Sequence, residues 1–188
     1  KNLINIRNVQ VILVLAIATF LVNHGLNNWL PTLLQEKSMT ISQAGFWTAI
    51  STMAGVLGSV IIPSIARRGY RVIALGVIFL VASLTTFGLT VFTDMPLFVV
   101  LIVSGIVRAP MMPILTLILM ETKGVGSANI GAAVGLFFAA AEIGGFGGPF
   151  LLGILRDFSG SMNTGLIFLS ICVGLLVVTL PMIKEEDQ

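Results

Sequence analysis

Six apolar runs, each long enough to cross a bilayer, follow one another along the chain with only short connections between them. A hydrocarbon core of about 30 Å takes roughly 20 residues of α-helix at 1.5 Å rise per residue. The runs fall at residues 9–34, 42–65, 72–92, 96–119, 129–154 and 164–183. The other backbone that satisfies its polar groups in lipid, a closed barrel, needs segments of about ten residues alternating apolar and polar. None of the six runs alternates in that way. Charged residues make up 10% of the chain, where a water-soluble domain carries about a quarter. The expected fold class is therefore an all-α membrane protein of six transmembrane helices, forming one unit over residues 1–188. Connections of three to nine residues leave no length for a domain outside the membrane.

Net charge is only +2, but the basic residues are unevenly placed. Lys1, Arg7, Arg67, Arg68, Arg71, Lys123 and Lys184 fall on one side of the six-span arrangement, and Lys37 and Arg156 on the other. Cytoplasmic loops carry the lysine and arginine excess. Both termini are accordingly expected inside, in a multi-pass protein of the cell membrane with no nucleic-acid partner. Cys172 is the single cysteine, so neither a disulfide framework nor a zinc site is expected, and no cofactor is implied. The chain starts at Lys1 rather than Met, and its first run is too long for a signal peptide. It reads as a fragment or a processed chain.

Displacing run two by 86 residues onto run five aligns Gly45 with Gly131, Ala54 with Ala140, Gly58 with Gly144 and Pro63 with Pro149. A three-plus-three repeat requires that register, and because three is odd the second copy must be inverted in the membrane. Glycine is concentrated in run five, where Gly131 with Gly135 and Gly144 with Gly148 read as close-packing faces.

Ionisable residues at membrane depth are expensive and face protein or water rather than lipid. Run one carries Asn23, His24, Asn27 and Asn28, which with Pro31 span an arc of about 140° on a helix. Asn23 and Asn27, one turn apart, suit a ligand held between two amides; His24 suits ligand contact, a proton relay or an interior hydrogen bond. In run four Arg108 precedes Ala109-Pro110-Met111-Met112-Pro113, and two prolines without N–H groups loosen the helix beside the guanidinium. A guanidinium offers a planar fork of donors matched to a carboxylate or similar oxyanion. In run five Glu142 lies among small and apolar neighbours. It is a candidate coupling residue whose protonation tracks substrate at Arg108, or else the arginine's permanent partner.

Ala66-Arg67-Arg68-Gly69-Tyr70-Arg71 resembles the cytoplasmic loop motif of the major facilitator superfamily, Gly-x-x-x-(Asp)-Arg-x-Gly-Arg-Arg, with the acidic residue absent and the spacing one residue shorter. Trp29-Leu30-Pro31-Thr32-Leu33-Leu34 resembles the end of that superfamily's seventh helix. Gly131-Ala132-Ala133 through Gly144-Gly145-Phe146-Gly147-Gly148-Pro149, with Gly153 to Gly160 after it, resembles its eleventh helix and following loop. The whole chain is similar to the C-terminal six-helix half of such a transporter, nearest to the cyanate permease-like and anion-transporting branches. The resemblance implies that helices one, two, four and five face a central cavity and that Arg67, Arg68, Gly69 and Arg71 belong to a gating loop. It also implies a partner, an N-terminal six-helix half on the same or another chain.

The expected function is secondary active transport of a small anionic solute by alternating access, coupled to protons or another ion. Substrate would be held by Arg108, Asn23, His24 and Asn27. Proton-driven efflux of neutral or cationic compounds is the alternative, with Glu142 as the recognising group. An intramembrane protease of six helices would need a Gly-x-Ser-Gly serine and a later histidine; Ser104-Gly105 lacks the first glycine and His24 precedes it. A non-transporting membrane subunit would show none of the solute binding.

Overall fold

The computed structural model describes residues 3–183. Lys1 and Lys184, counted in the charge distribution, lie outside the described residues. The elements are α1 (Arg7–Glu36), α2 (Ile41–Ile65), α3 (Arg71–Val91), α4 (Asp94–Arg108), α5 (Met111–Glu121), α6 (Ile130–Ser159) and α7 (Met162–Thr179), with no strand among the described residues. Six helical stretches are long and apolar enough to cross a membrane, α4 and α5 together making the fourth. The chain is a multi-pass helical membrane protein.

Local signals set most helix ends. Thr40 and Gln43 form a reciprocal capping box at the start of α2, with Gln43 N–H donating to Thr40 Oγ1 at 3.3 Å and Thr40 N–H donating to Gln43 Oε1 at 3.0 Å. Two boundaries differ from the apolar pattern. The run at 96–119 is not one helix: it breaks at Ala109 and Pro110, because Pro110 and Pro113 offer no N–H to the carbonyls one turn back. The fifth helix continues past residue 154 to Ser159, through a stretch that charge and glycine mark as loop. Arg156 is held there by Glu36, and Gly160 at φ 73° closes the helix in the left-handed conformation.

Packing follows the repeat. α1 packs chiefly on α6, α2 on α4, and α3 on α7. Exchanging the two halves of the chain turns the α2–α4 contact into the α6–α1 contact and maps the α3–α7 contact onto itself. Ser83 Oγ donates to the Ser170 carbonyl at 2.8 Å and Ser170 Oγ to the Ser83 carbonyl at 2.9 Å, the reciprocal pairing expected where a two-fold axis passes between equivalent helices. Gly58 and Gly144, aligned by the repeat, are also equivalent in packing: each lies against a backbone carbonyl, that of Ile106 and that of Ile17. Neither position has room for a β-carbon. Gly148 sits against the Leu21 carbonyl in the same seam, whereas nothing approaches Gly131 or Gly135. The packing face expected at Gly131 and Gly135 is not used within these six helices, since both glycines lie on the exposed face of α6 while Ala133 and Phe137 face the interior.

Burial is uneven. α2 and α6 bury the smallest share of their length, and Phe46, Val60, Phe146 and Phe150 stand exposed on them. Glu142, near the middle of α6, is exposed as well.

Candidate functional site

The break in the fourth span ends α4 on Arg108, which is only 4% exposed. One turn earlier on the same helix, Ser104 Oγ accepts a hydrogen bond from Arg108 Nε at 3.0 Å. From α1, Asn23 Oδ1 and Asn27 Oδ1 both accept from Nη1, at 3.2 and 3.1 Å. Asn23 Nδ2 reaches back to the Arg108 carbonyl at 3.5 Å. The two amides predicted to grip a ligand thus grip the guanidinium, and Nη2 is left without a protein acceptor among the described residues. Every partner is neutral.

Beside the guanidinium is a cavity of about 190 Å3 lined by Asn23, Asn27, Ser51, Gly55, Arg108 and Ala109 among others. Its wall is kept tight by backbone contact. Ser51 Oγ donates to the Leu101 carbonyl at 2.8 Å, and Gly55 and Gly105 let α2 and α4 touch backbone to backbone. A chamber of this size, with one cationic and several neutral polar groups, fits a small anion or the anionic end of a longer molecule.

His24 is not in that lining. Its ring packs on Phe20 with centroids 4.7 Å apart, and its carbonyl accepts from Asn28 Nδ2 at 2.8 Å. Glu142 pairs with no cation among the described residues. Its carboxylate leans over Gly145, where a β-carbon would lie 3.0 Å from Oε2 and 3.4 Å from the Phe20 ring. His24 therefore adjoins Phe20 and Glu142 leans over Gly145, and the ion pair between Arg108 and Glu142 is not formed.

The 66–71 loop is fastened to the end of the fourth span. Arg71 Nη1 contacts Glu121 Oε2, Arg68 Nε lies 3.7 Å from Glu121 Oε1, and Arg71 Nε donates to the Ala66 carbonyl at 3.2 Å. Gly69 turns the chain at φ 84°. Arg67 is exposed and enters none of the loop's ion pairs among the described residues. On the opposite side of the membrane span, Glu36 Oε1 accepts from Arg156 Nε at 2.9 Å and Glu36 Oε2 accepts the Met162 N–H at 3.0 Å, tying α1 to α6 and to the start of α7.

Sequence reasoning missed Ser104, Glu121 and Glu36. The signal for Ser104 was its place four residues before Arg108. For Glu121 it was an acid at a span end facing a basic loop that lacks one.

The fold is that of half of a major facilitator-type transporter, two inverted three-helix repeats, with an arginine-bearing cavity between α1, α2 and α4. Known transporters resemble it. In a solved structure of PepTSo, a POT family transporter, the chain matches with a TM-score of 0.74 at 12% identity, covering 97% of this chain and 40% of that one. A quinolone resistance transporter of Acinetobacter baumannii is 27% identical over 183 residues, covering 88% of this chain and 39% of the relative. The chain thus spans about two fifths of the length of each. No protein-family model matches it.

Proposed function

We propose that this chain forms the substrate-binding half of a secondary active transporter that takes small anionic solutes through the membrane by alternating access. The observation that carries this reading is Arg108: a guanidinium buried at membrane depth, held by Ser104, Asn23 and Asn27, with no carboxylate beside it among the described residues. A buried charge without a counter-ion is costly, and an oxyanion at Nη2 would supply one. Asn23 and Asn27 then act by holding the fork in place, and Ser51 and Gly55 shape the wall opposite.

A second six-helix half, on the same or another chain, completes the cavity. The support is the exposed Glu142 and the exposed apolar faces of α2 and α6, since a carboxylate at mid-membrane belongs against protein or water. Glu142 and His24 line that completed interior on the α1–α6 side, and Glu142 carries the coupling proton. With both termini cytoplasmic in the cell membrane, Arg68, Arg71 and Glu121 clasp the inner side and Glu36 with Arg156 the outer.

Outward transport is the second reading, favoured by the relative named for quinolone resistance. Arg108→Lys in the complete transporter separates the arginine's role from simple charge. Lysine keeps the charge but cannot offer the paired donors, and losing one charge-assisted hydrogen bond of about 1.5–3 kcal/mol lowers anion affinity roughly 10- to 100-fold. Wild-type affinity in exchange assays on the lysine variant would remove anion recognition from Arg108.

A further inference from the structure

α2 and α3 are consecutive, yet they touch only marginally, each packing on α4 instead. Their repeat counterparts α6 and α7 pack directly on each other. The splay of α2 from α3 opens a groove of about 510 Å3 whose lining includes Ile65, Ile73, Val77, Val81 and, from α4, Val107. Apart from Arg67 and Tyr70 the lining is wholly apolar.

The groove has the depth of one leaflet. From Tyr70 to Val81 along α3 is about 16 Å at 1.5 Å per residue, half of a hydrocarbon core of about 30 Å. A transmembrane helix docking here would run the full thickness, and the groove does not. Its polar end lies where the loop meets the membrane surface, the level at which tyrosine and arginine side chains anchor among headgroups. The neighbouring Arg68 and Arg71 are engaged by Glu121, whereas Arg67 is exposed and outside those pairs. No acidic residue is in the lining to receive an ammonium headgroup.

We infer that this groove seats an anionic glycerophospholipid from the leaflet on the side of the 66–71 loop, with an acyl chain along Val77 and Val81 and the phosphate at Arg67 and the Tyr70 hydroxyl. The site is separate from the cavity at Arg108 and does not depend on what that cavity carries.

The test is native mass spectrometry of the delipidated full-chain protein titrated with phosphatidylglycerol or with phosphatidylcholine of the same acyl chains. Phosphatidylglycerol should be retained at about one fifth of the concentration needed for phosphatidylcholine, the discrimination one surface arginine provides. Arg67→Gln should abolish that preference, Val77→Trp should weaken retention of both lipids by filling an exposed part of the groove, and Arg68→Gln should change neither. Equal retention of the two lipids by the unaltered protein overturns the inference. So does undiminished retention in Val77→Trp, or a loss in Arg68→Gln as large as in Arg67→Gln, which would mean diffuse attraction to a basic surface.

Discussion

Replacing Gly144 by alanine tests the α1–α6 seam. A β-carbon there would stand 2.7 Å from the Ile17 carbonyl carbon, 2.9 Å from Leu21 N and closer still to the Ile17 oxygen. Carbon atoms pack at about 3.5–4.0 Å, so α1 and α6 must part by roughly 1 Å, and backbone cannot rotate aside as a side chain can. A gap of that size forfeits about a third of each dispersion contact. Some 50 pairs at about 0.15 kcal/mol then lose about 2–3 kcal/mol. Alanine's better helix propensity returns up to about 1 kcal/mol. At Gly135, one turn further into α6 and likewise with nothing within 4 Å, only that favourable change remains. The two alanine variants of one helix should therefore differ by about 2–3 kcal/mol in opposite directions from the parent, or roughly 2–6 °C in thermal midpoint, about half the shift per kcal/mol of a 150–250-residue protein. Thermal unfolding of the purified complete protein, followed by size-exclusion fluorescence, reads this directly. Because α1 carries Asn23 and Asn27, Gly144→Ala should also weaken solute binding. Equal melting of the two variants would refute the close approach.

Glu142→Gln should leave the yield of folded protein unchanged, because Arg108 does not rely on it, and should abolish pH-gradient-driven accumulation while sparing solute exchange; accumulation that persists in vesicle assays would end the coupling role. Asn27→Leu should lower anion affinity about tenfold by removing one charge-assisted bond from Nη1, whereas Asn28→Leu, whose amide donates to its own helix at the His24 carbonyl, should bind as the parent does in the same titration. For orientation, Lys37→Cys should react with an impermeant maleimide added outside cells, and Arg68→Cys only after permeabilisation; the reverse labelling would invert the assigned topology.

The spans were legible because membrane helices announce themselves by length and apolarity, requirements that lipid imposes on every residue of a run. The repeat was legible at Gly58 and Gly144, where close backbone approach tolerates no other side chain. The arginine's surroundings were only partly so. Asn23 and Asn27 lie on the arc that faces Arg108, but that their amides would spend their oxygens on its Nη1 depends on how α1 meets the broken fourth span. Periodicity within one helix carries no such information. Glu142 and Arg108 occupy similar depths, which suggested a pair, yet depth leaves rotation about the helix axis open, and α6 turns Glu142 to its exposed face. The extension of α6 to Ser159 was hidden because Arg156 is charged, and its partner Glu36 lies 120 positions earlier.

The break at Ala109 and Pro110 has an electrostatic consequence of its own. At Ala109 and Pro110 the backbone stays in the right-handed helical region, but Pro110 and Pro113 withhold the N–H groups that the Ile106 and Ala109 carbonyls one turn back would take. Two carbonyl dipoles are thus left without their helical donors within two residues of Arg108, while the guanidinium itself turns back along α4 to Ser104 and across to two neutral amides. Dipoles soften a cation without cancelling it, and they neither titrate nor leave. On the proposed reading, an anion would meet a charge that can hold its guest and still release it.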